Sequence, residues 1–315
     1  MRTAMSALHK IASPRPYRAL LQAALLAGLL ASPSLAQAPP HDWNRQLVGQ
    51  PLYLRGFWLT DQLQFDSAGN ALNKPTLGPV TLSGIDVTGT ELKSGKLVIH
   101  GNRVGLVQNS DAQPGLHRQA LSTVTQIMFS MRRSNNRNYS APEVIALTIQ
   151  PDAAGTFDQA IAHIFVNGLT DLAAVVPVYW QCYAESYFKP ATIAPDAEDK
   201  VKQCVVTDAV TATNTKDAAA ASEVGSEAPQ SLDSAPLHLE LSSQQAIAHG
   251  TATIHLRIRE DGTPVGLQVV RAVGAGIDES LMQALAQTRY KPATRDGEAV
   301  PYNLNLDYHF NEPSH

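Results

Sequence analysis

Between roughly residues 41 and 190 the apolar positions come in short alternating runs: Leu63 with Phe65, Leu82 with Ile85 and Val87, then Leu97 with Ile99. Alternation with a period of two is the mark of half-buried strands. Turn chemistry separates the runs at Asp66-Ser67-Ala68-Gly69-Asn70, at Ser94-Gly95-Lys96 and at Gly101-Asn102, where glycine and asparagine supply the positive φ that tight connections need. The pattern predicts a β-meander. Further on, Ile161, Ile164, Phe165, Leu169 and Leu172 recur at helical spacing behind Thr156, a capping residue type, and predict one or two helices over a face of that sheet. The N-terminal region therefore reads as a β-rich α+β domain.

The pattern then fades. Between Thr207 and Ser231 the bulky apolar residues are Val210 and Val224, too few to offset the entropy of ordering the chain. Residues 205–236 are expected to form a mobile linker. A flexible coil of about thirty residues has an r.m.s. reach of roughly 30 Å, so the flanking domains are expected to move semi-independently.

Alternation returns with Ile254, Leu256 and Ile258 on one face against Thr253, His255, Arg257 and Arg259 on the other. Glu260-Asp261-Gly262-Thr263 reads as a hairpin turn, and Val265, Leu267 and Val269 as the buried row of the returning strand. A helix is expected next, capped by Asp278, stapled by Ile277 and Met282, with Leu281 and Leu285 one turn apart. It should stop near Arg289, before Pro292. In the last run Tyr302, Leu304, Leu306, Tyr308 and Phe310 alternate with Asn303, Asn305, Asp307 and His309. The order is strand, strand, helix, strand.

Composition narrows the function classes. A 315-residue chain has room for about two domains, and 44 % apolar residues with a net charge of -4 suit a globular protein with no electrostatic basis for binding nucleic acid. Basic Arg2, Lys10, Arg15 and Arg18, an apolar run from Ala19 to Leu30 and then small residues follow the order of a secretory signal. The run is shorter than the roughly 20 residues of a membrane span. Ser34-Leu35-Ala36 suits signal peptidase, so residues 1–36 are read as a signal peptide with Gln37 as the mature start and the periplasm as destination. The other reading is an uncleaved anchor in the inner membrane, facing the periplasm. Cys182 and Cys204 are the two cysteines, and an even count behind an export signal points to a disulfide, whereas a metal site would need further ligands that the spacing does not supply. The expected organisation is a signal peptide at 1–36, an unrecognised α+β periplasmic domain at 37–204, a linker at 205–236 and a small β-β-α-β domain at 237–315.

That last domain carries Asp261-Gly262 in its first turn, Gly274 and Asp278 before the helix, Tyr290-Lys291-Pro292-Ala293 after it and Gly297 ahead of the final strand. In that order and spacing, from about Ala246 to Phe310, it resembles the C-terminal domain of the TonB energy-transducer family. It departs from the family pattern at Ser242 and Ser243, where a Tyr-Pro pair is usual, and at Thr288, where Trp is frequent. The resemblance implies a domain that binds an extended peptide of an outer-membrane transporter by lending it a sheet edge. The edge expected for this is Tyr302, Asn303, Leu304, Asn305, Leu306, Asp307 and Tyr308, whose polar Asn303, Asn305 and Asp307 would keep it soluble when empty. The plainer reading is a structural strand with a solvated face.

No catalytic constellation stands out. Gly89 to Lys96 lacks the spacing and the Ser or Thr of a phosphate loop and reads as a strand connection. Ser186 and Lys189 match a Ser-x-x-Lys pair without its partner motifs. The histidines, His163 among them, show no metal-binding spacing. Tyr179, Tyr183 and Tyr187, beside Trp180 and Cys182, suit either a stacking face or core packing around the disulfide. Arg132, Arg133 and Arg137, interleaved with Asn135, Asn136 and Asn138, suit either an anionic headgroup site or a solvated loop. The leading expectation is a periplasmic TonB-like protein that binds envelope partners without cofactor or metal and assists transmembrane transport. The alternatives are a membrane-anchored energy transducer coupled to inner-membrane motor proteins, a purely structural envelope interaction protein, or an enzyme in the N-terminal region.

Overall fold

The computed structural model describes residues 42–110, 113–121, 143–189, 193–210, 226–232 and 249–310. The signal-peptide reading of 1–36, the Arg132, Arg133 and Arg137 cluster and most of the expected linker lie outside the described residues. The secondary structure described lies in one compact unit that begins at Trp43.

Helix α1 (Trp43–Leu47) and β1 (Leu52–Leu54) lead to β2 (Gln62–Phe65), a 3-10 turn at Val80–Leu82, the hairpin β3 (Gly84–Lys93) and β4 (Lys96–Ser110), then β5 (Gln113–Ala120) and β6 (Val144–Ile149). Helix α2 (Asp158–Ile164), β7 (Phe165–Asn167) and α3 (Gly168–Ala173) follow, then the pair α4 (Val178–Tyr187) and α5 (Ala197–Val210). Beyond them come β8 (Ser226–Glu227), β9 (Gln230–Ser231), β10 (Gly250–Ile258), β11 (Pro264–Arg271), α6 (Ile277–Gln287), β12 (Tyr290–Lys291), β13 (Ala293–Arg295), β14 (Glu298–Val300) and β15 (Tyr302–Phe310). The class is α+β, a large N-terminal sheet with helices followed by a smaller C-terminal β/α region.

The large sheet has seven strands in the order β2-β6-β4-β3-β1-β7, with β5 beside β4. It is not the expected meander, because β2 pairs with β6 in parallel, Leu63 opposite Leu147. The turn between β3 and β4 is tight, Ser94 and Gly95 both taking positive φ (52° and 76°), and it accounts for the Gly89 to Lys96 pattern as a strand connection. Gly101-Asn102, expected as a turn, lies inside β4. A Cβ at Gly101 would sit 2.7 Å from the Ile85 side chain and 2.9 Å from the Asp86 carbonyl, so the glycine there permits a close approach of strands beside the bulge at Val87/Gly89.

The helical run from Ile161 to Leu172 is broken. Phe165-Val166-Asn167 is extended and pairs with β1, Leu54 opposite Phe165, so of the one or two helices predicted there two form, α2 and α3, on either side of a strand. Pairing with β1 outweighs the helical spacing. Thr156 does not cap α2: its N–H and hydroxyl both bond to Asp152, at 2.7 and 2.6 Å, and close a loop instead.

Cys182 and Cys204 are joined, Cα atoms 5.7 Å apart, and staple α4 to α5. Around them Trp180, Tyr183 and Tyr187 are buried, with Trp180 and Tyr183 ring centroids 5.4 Å apart edge to face and Tyr183 and Tyr187 4.5 Å apart. Of the tyrosine row, Tyr183 and Tyr187 are core and Tyr179 packs half-buried against it.

The strand-strand-helix-strand order of the C-terminal region stands as expected, with short additions. Residues within the stretch read as linker pair with it: β9 with β12, Tyr290 opposite Ser231, and β8 with β13, Thr294 opposite Glu227. Nor do the N- and C-terminal regions pack separately. Leu106, Val107, Trp180, Ile254, Val273 and Leu281 belong to one apolar cluster, so the semi-independent motion expected of them is replaced by a shared core.

Candidate partner-binding edge of the C-terminal sheet

The C-terminal sheet is built outward from its hairpin. Gly262 (φ 78°) and the Asp261 carboxylate, which accepts the Thr263 N–H at 2.9 Å, form the turn between β10 and β11. That bond holds the Asp261 carboxyl below its usual range. On β10, Ile254, Leu256 and Ile258 are fully buried beneath Ile277, Leu281 and Leu285 of α6. The returning strand departs from the expected Val265, Leu267, Val269 row. Register shifts on either side of His255 fall at Gly266 (φ 62°) and near Val270, so Val265 and Leu267 are half-buried while Val269 and Val270 are both fully buried. A bulge puts two residues opposite one and breaks the alternation that the sequence pattern assumes.

Asp278 also does something other than expected. The residue capping α6 is Gly276 in the left-handed conformation, and Asp278, inside the first turn, reaches back to accept the N–H of Val273 at 3.0 Å and of Gly274 at 2.8 Å. It fixes the loop that enters the helix. Burial, and then the neighbouring Glu279, push its carboxyl well above the usual carboxylate range.

The sheet order is β11-β10-β15, so β15 ends the sheet, and all seven residues expected at the partner edge, Tyr302 to Tyr308, lie on it. Its inner side pairs antiparallel with β10 along the whole strand, from Ile258 opposite Tyr302 to Gly250 opposite Phe310. Among the described residues no strand pairs with its outer side. Leu304, Leu306 and Tyr308 form a half-buried apolar row against the core, and burial raises the Tyr308 hydroxyl pKa.

The polar row is more than a solvated face. Thr251 Oγ1 lies 2.9 Å from His309 Nδ1, Thr253 Oγ1 donates to Asp307 Oδ1 at 2.6 Å, and His255 Nδ1 donates to Asn305 Oδ1 at 2.8 Å. Directly opposed residues on antiparallel strands are the pairs that stabilise a sheet. His255 is itself buried, which holds its pKa below the usual histidine value, and its Nε2 has no hydrogen-bond partner. This ladder fixes the register of β15 and so the position of its outer edge.

Other expected candidates stay apart. Ser186 is buried in α4, while Lys189 pairs with Glu185 on the surface. His163 is exposed on α2. Among the described residues no group of three or more His, Cys, Asp or Glu side chains is placed to hold a metal ion. Sequence reasoning missed Glu279, which reads as an ordinary acidic residue in a helix's first turn but is buried, its Oε1 accepting the Val80 N–H at 3.0 Å and the Trp180 indole N–H at 2.9 Å. No local pattern marks it, because both donors are remote in sequence.

No curated protein matches the chain. The C-terminal part, with its hairpin, helix and final edge strand, is a TonB C-terminal domain: residues 242–311 match the family model described as Gram-negative bacterial TonB protein C-terminal.

Proposed function

We propose that the chain is a periplasmic TonB-like protein that serves transport across the outer membrane by binding, without catalysis, an extended segment of an outer-membrane transporter along the outer side of β15. The observation that carries this reading is the position of β15, an end strand held in register by its polar ladder and, among the described residues, unpaired on its outer side, within a TonB C-terminal domain. An added strand would draw its affinity from main-chain hydrogen bonds, each worth about 0.5–1.5 kcal/mol net, and its apolar side chains would cover the half-buried Leu304 and Leu306.

The test is capture of outer-membrane proteins by the full mature chain. Along an antiparallel strand successive N–H groups point alternately to the paired strand and away from it. Of Leu304→Pro and Asn305→Pro, one therefore removes a bond to β10 and one removes a donor from the outer edge. The variant that remains folded by circular dichroism should lose the β-barrel transporters that wild type captures. Undiminished capture of those transporters by it would overturn the edge mechanism, and failure of wild type to capture any transporter would overturn the transport reading itself.

A further inference from the structure

The junction between the C-terminal domain and the rest of the molecule is built around one carboxyl group. Val80 belongs to the 3-10 turn of the N-terminal region and Trp180 to α4, and both donate to the same oxygen of Glu279 on α6, at 3.0 and 2.9 Å. The other oxygen, Oε2, is buried with no hydrogen-bond partner. Trp180 is fully buried and Glu279 is 6 % exposed, with its Oε2 out of reach of solvent. Beside this contact the Gly276 N–H donates to Thr81 Oγ1 at 2.9 Å, the Ala275 N–H to the Leu106 carbonyl at 2.8 Å and the Gln108 N–H to the Val273 carbonyl at 3.0 Å.

The groups facing Glu279 bring no cation to offset a charge there, only the two N–H donors on Oε1. Its own helix brings Asp278, a second buried carboxyl. From α4 come Trp180 and Tyr183, and burial holds the Tyr183 hydroxyl well above its usual pKa, so it stays neutral throughout the physiological range. Arg271, at the end of β11, is directed to Glu198, and the 3-10 turn brings Val80, Thr81 and Leu82, none of which titrates. Among the described residues no cation pairs with Glu279. Burying an unpaired carboxylate costs far more than burying a neutral carboxyl, so the site favours the protonated form.

We propose that Glu279 is a proton-operated latch: with a proton on Oε2 it fastens the C-terminal domain to the 3-10 turn and α4 through Oε1, and on losing the proton it weakens that seat. Burial pushes its pKa up to about 7. A carboxyl whose folded pKa lies above its unfolded value stabilises the fold most below the unfolded value of 4.5, loses that contribution as pH rises to about 7, and is flat beyond. Asp278, raised as well, has the same sign. His255, on the opposite face of the sheet and with a lowered pKa, has the opposite sign, its contribution being lost as pH falls through that lowered value.

The experiment compares thermal unfolding of the full chain and of Glu279→Gln between about pH 5 and about pH 8. Wild type relative to Glu279→Gln should lose roughly 5–10 °C in Tm across that range, since the amide cannot ionise while the His255 contribution is common to both. Parallel curves would overturn the latch. Independently of any folding defect in the variant, the Trp180 indole N–H resonance of wild type, assigned by its loss in Trp180→Phe, should move with a midpoint near pH 7. A resonance unchanged from about pH 4 to about pH 9 would also overturn it.

Discussion

At the residue scale Gly274 is under a tight constraint. It has φ of 86°, and a Cβ there would lie 2.0 Å from the Leu106 carbonyl oxygen, a backbone atom that cannot swing aside. Gly274→Ala should therefore cost about 3 kcal/mol or more, from left-handed strain together with displacement of β4. Gly95→Ala is the matched control, with φ of 76° and nothing within 4 Å, and should cost only about 1 kcal/mol. Chemical denaturation of the two variants checks the difference. A similar argument applies to Asn305→Ala, which leaves the buried His255 Nδ1–H without its acceptor and should cost about 1–3 kcal/mol while sparing the backbone edge and the capture of partners. Sequence alone places Gly274 in a recognisable family pattern. Its physical reason is legible only once Leu106, far earlier in the chain, is seen against it.

At the element scale the disulfide sets how firmly α4 and α5 are held. It closes a separation of 22 residues, for which the chain-entropy model gives about 3 kcal/mol, so Cys182→Ser or Cys204→Ser should lower the denaturation free energy by about 2–4 kcal/mol. The double variant should cost little more than either single one, because one bridge is lost in each case. This pairing was readable from an even cysteine count behind an N-terminal segment patterned like an export signal. The β10–β11 hairpin and the terminal alternation were readable too, since a period of two and an Asp-Gly turn are local signals. What local signals missed depends on distant partners: the break at Phe165 made by pairing with β1, the parallel pairing of β2 with β6, and the bulges at Gly266 and Val270.

At the scale of the whole molecule the sequence pattern suggested two bodies on a tether, and the structure joins them through a common core. The poor apolar content of Thr207 to Ser231 still makes that stretch the expected site of first proteolytic cutting. The fragments should nevertheless co-elute in gel filtration under native conditions, with or without reductant, because Leu106, Trp180 and Val273 pack in one cluster and the disulfide lies wholly on the N-terminal side of the cut. Separation of the fragments without denaturant would contradict the shared core.

The junction also imposes an order of assembly. Every part of the seat, from the 3-10 turn at Val80 through Leu106 to Gln108 and on to Trp180 with its stapled helices, precedes Gly250 in the chain. A chain exported N-terminus first emerges in that order, and early segments can settle before late ones arrive. The C-terminal domain thus arrives at a template already formed, and its helix α6 docks on finished surfaces instead of having to recruit them. A chain stopped short of β10 would present that template uncovered, with an apolar patch around Leu106, Val107 and Trp180 open to whatever is nearby. Premature termination would for that reason be a hazard of aggregation, beyond the loss of the edge proposed to bind a transporter.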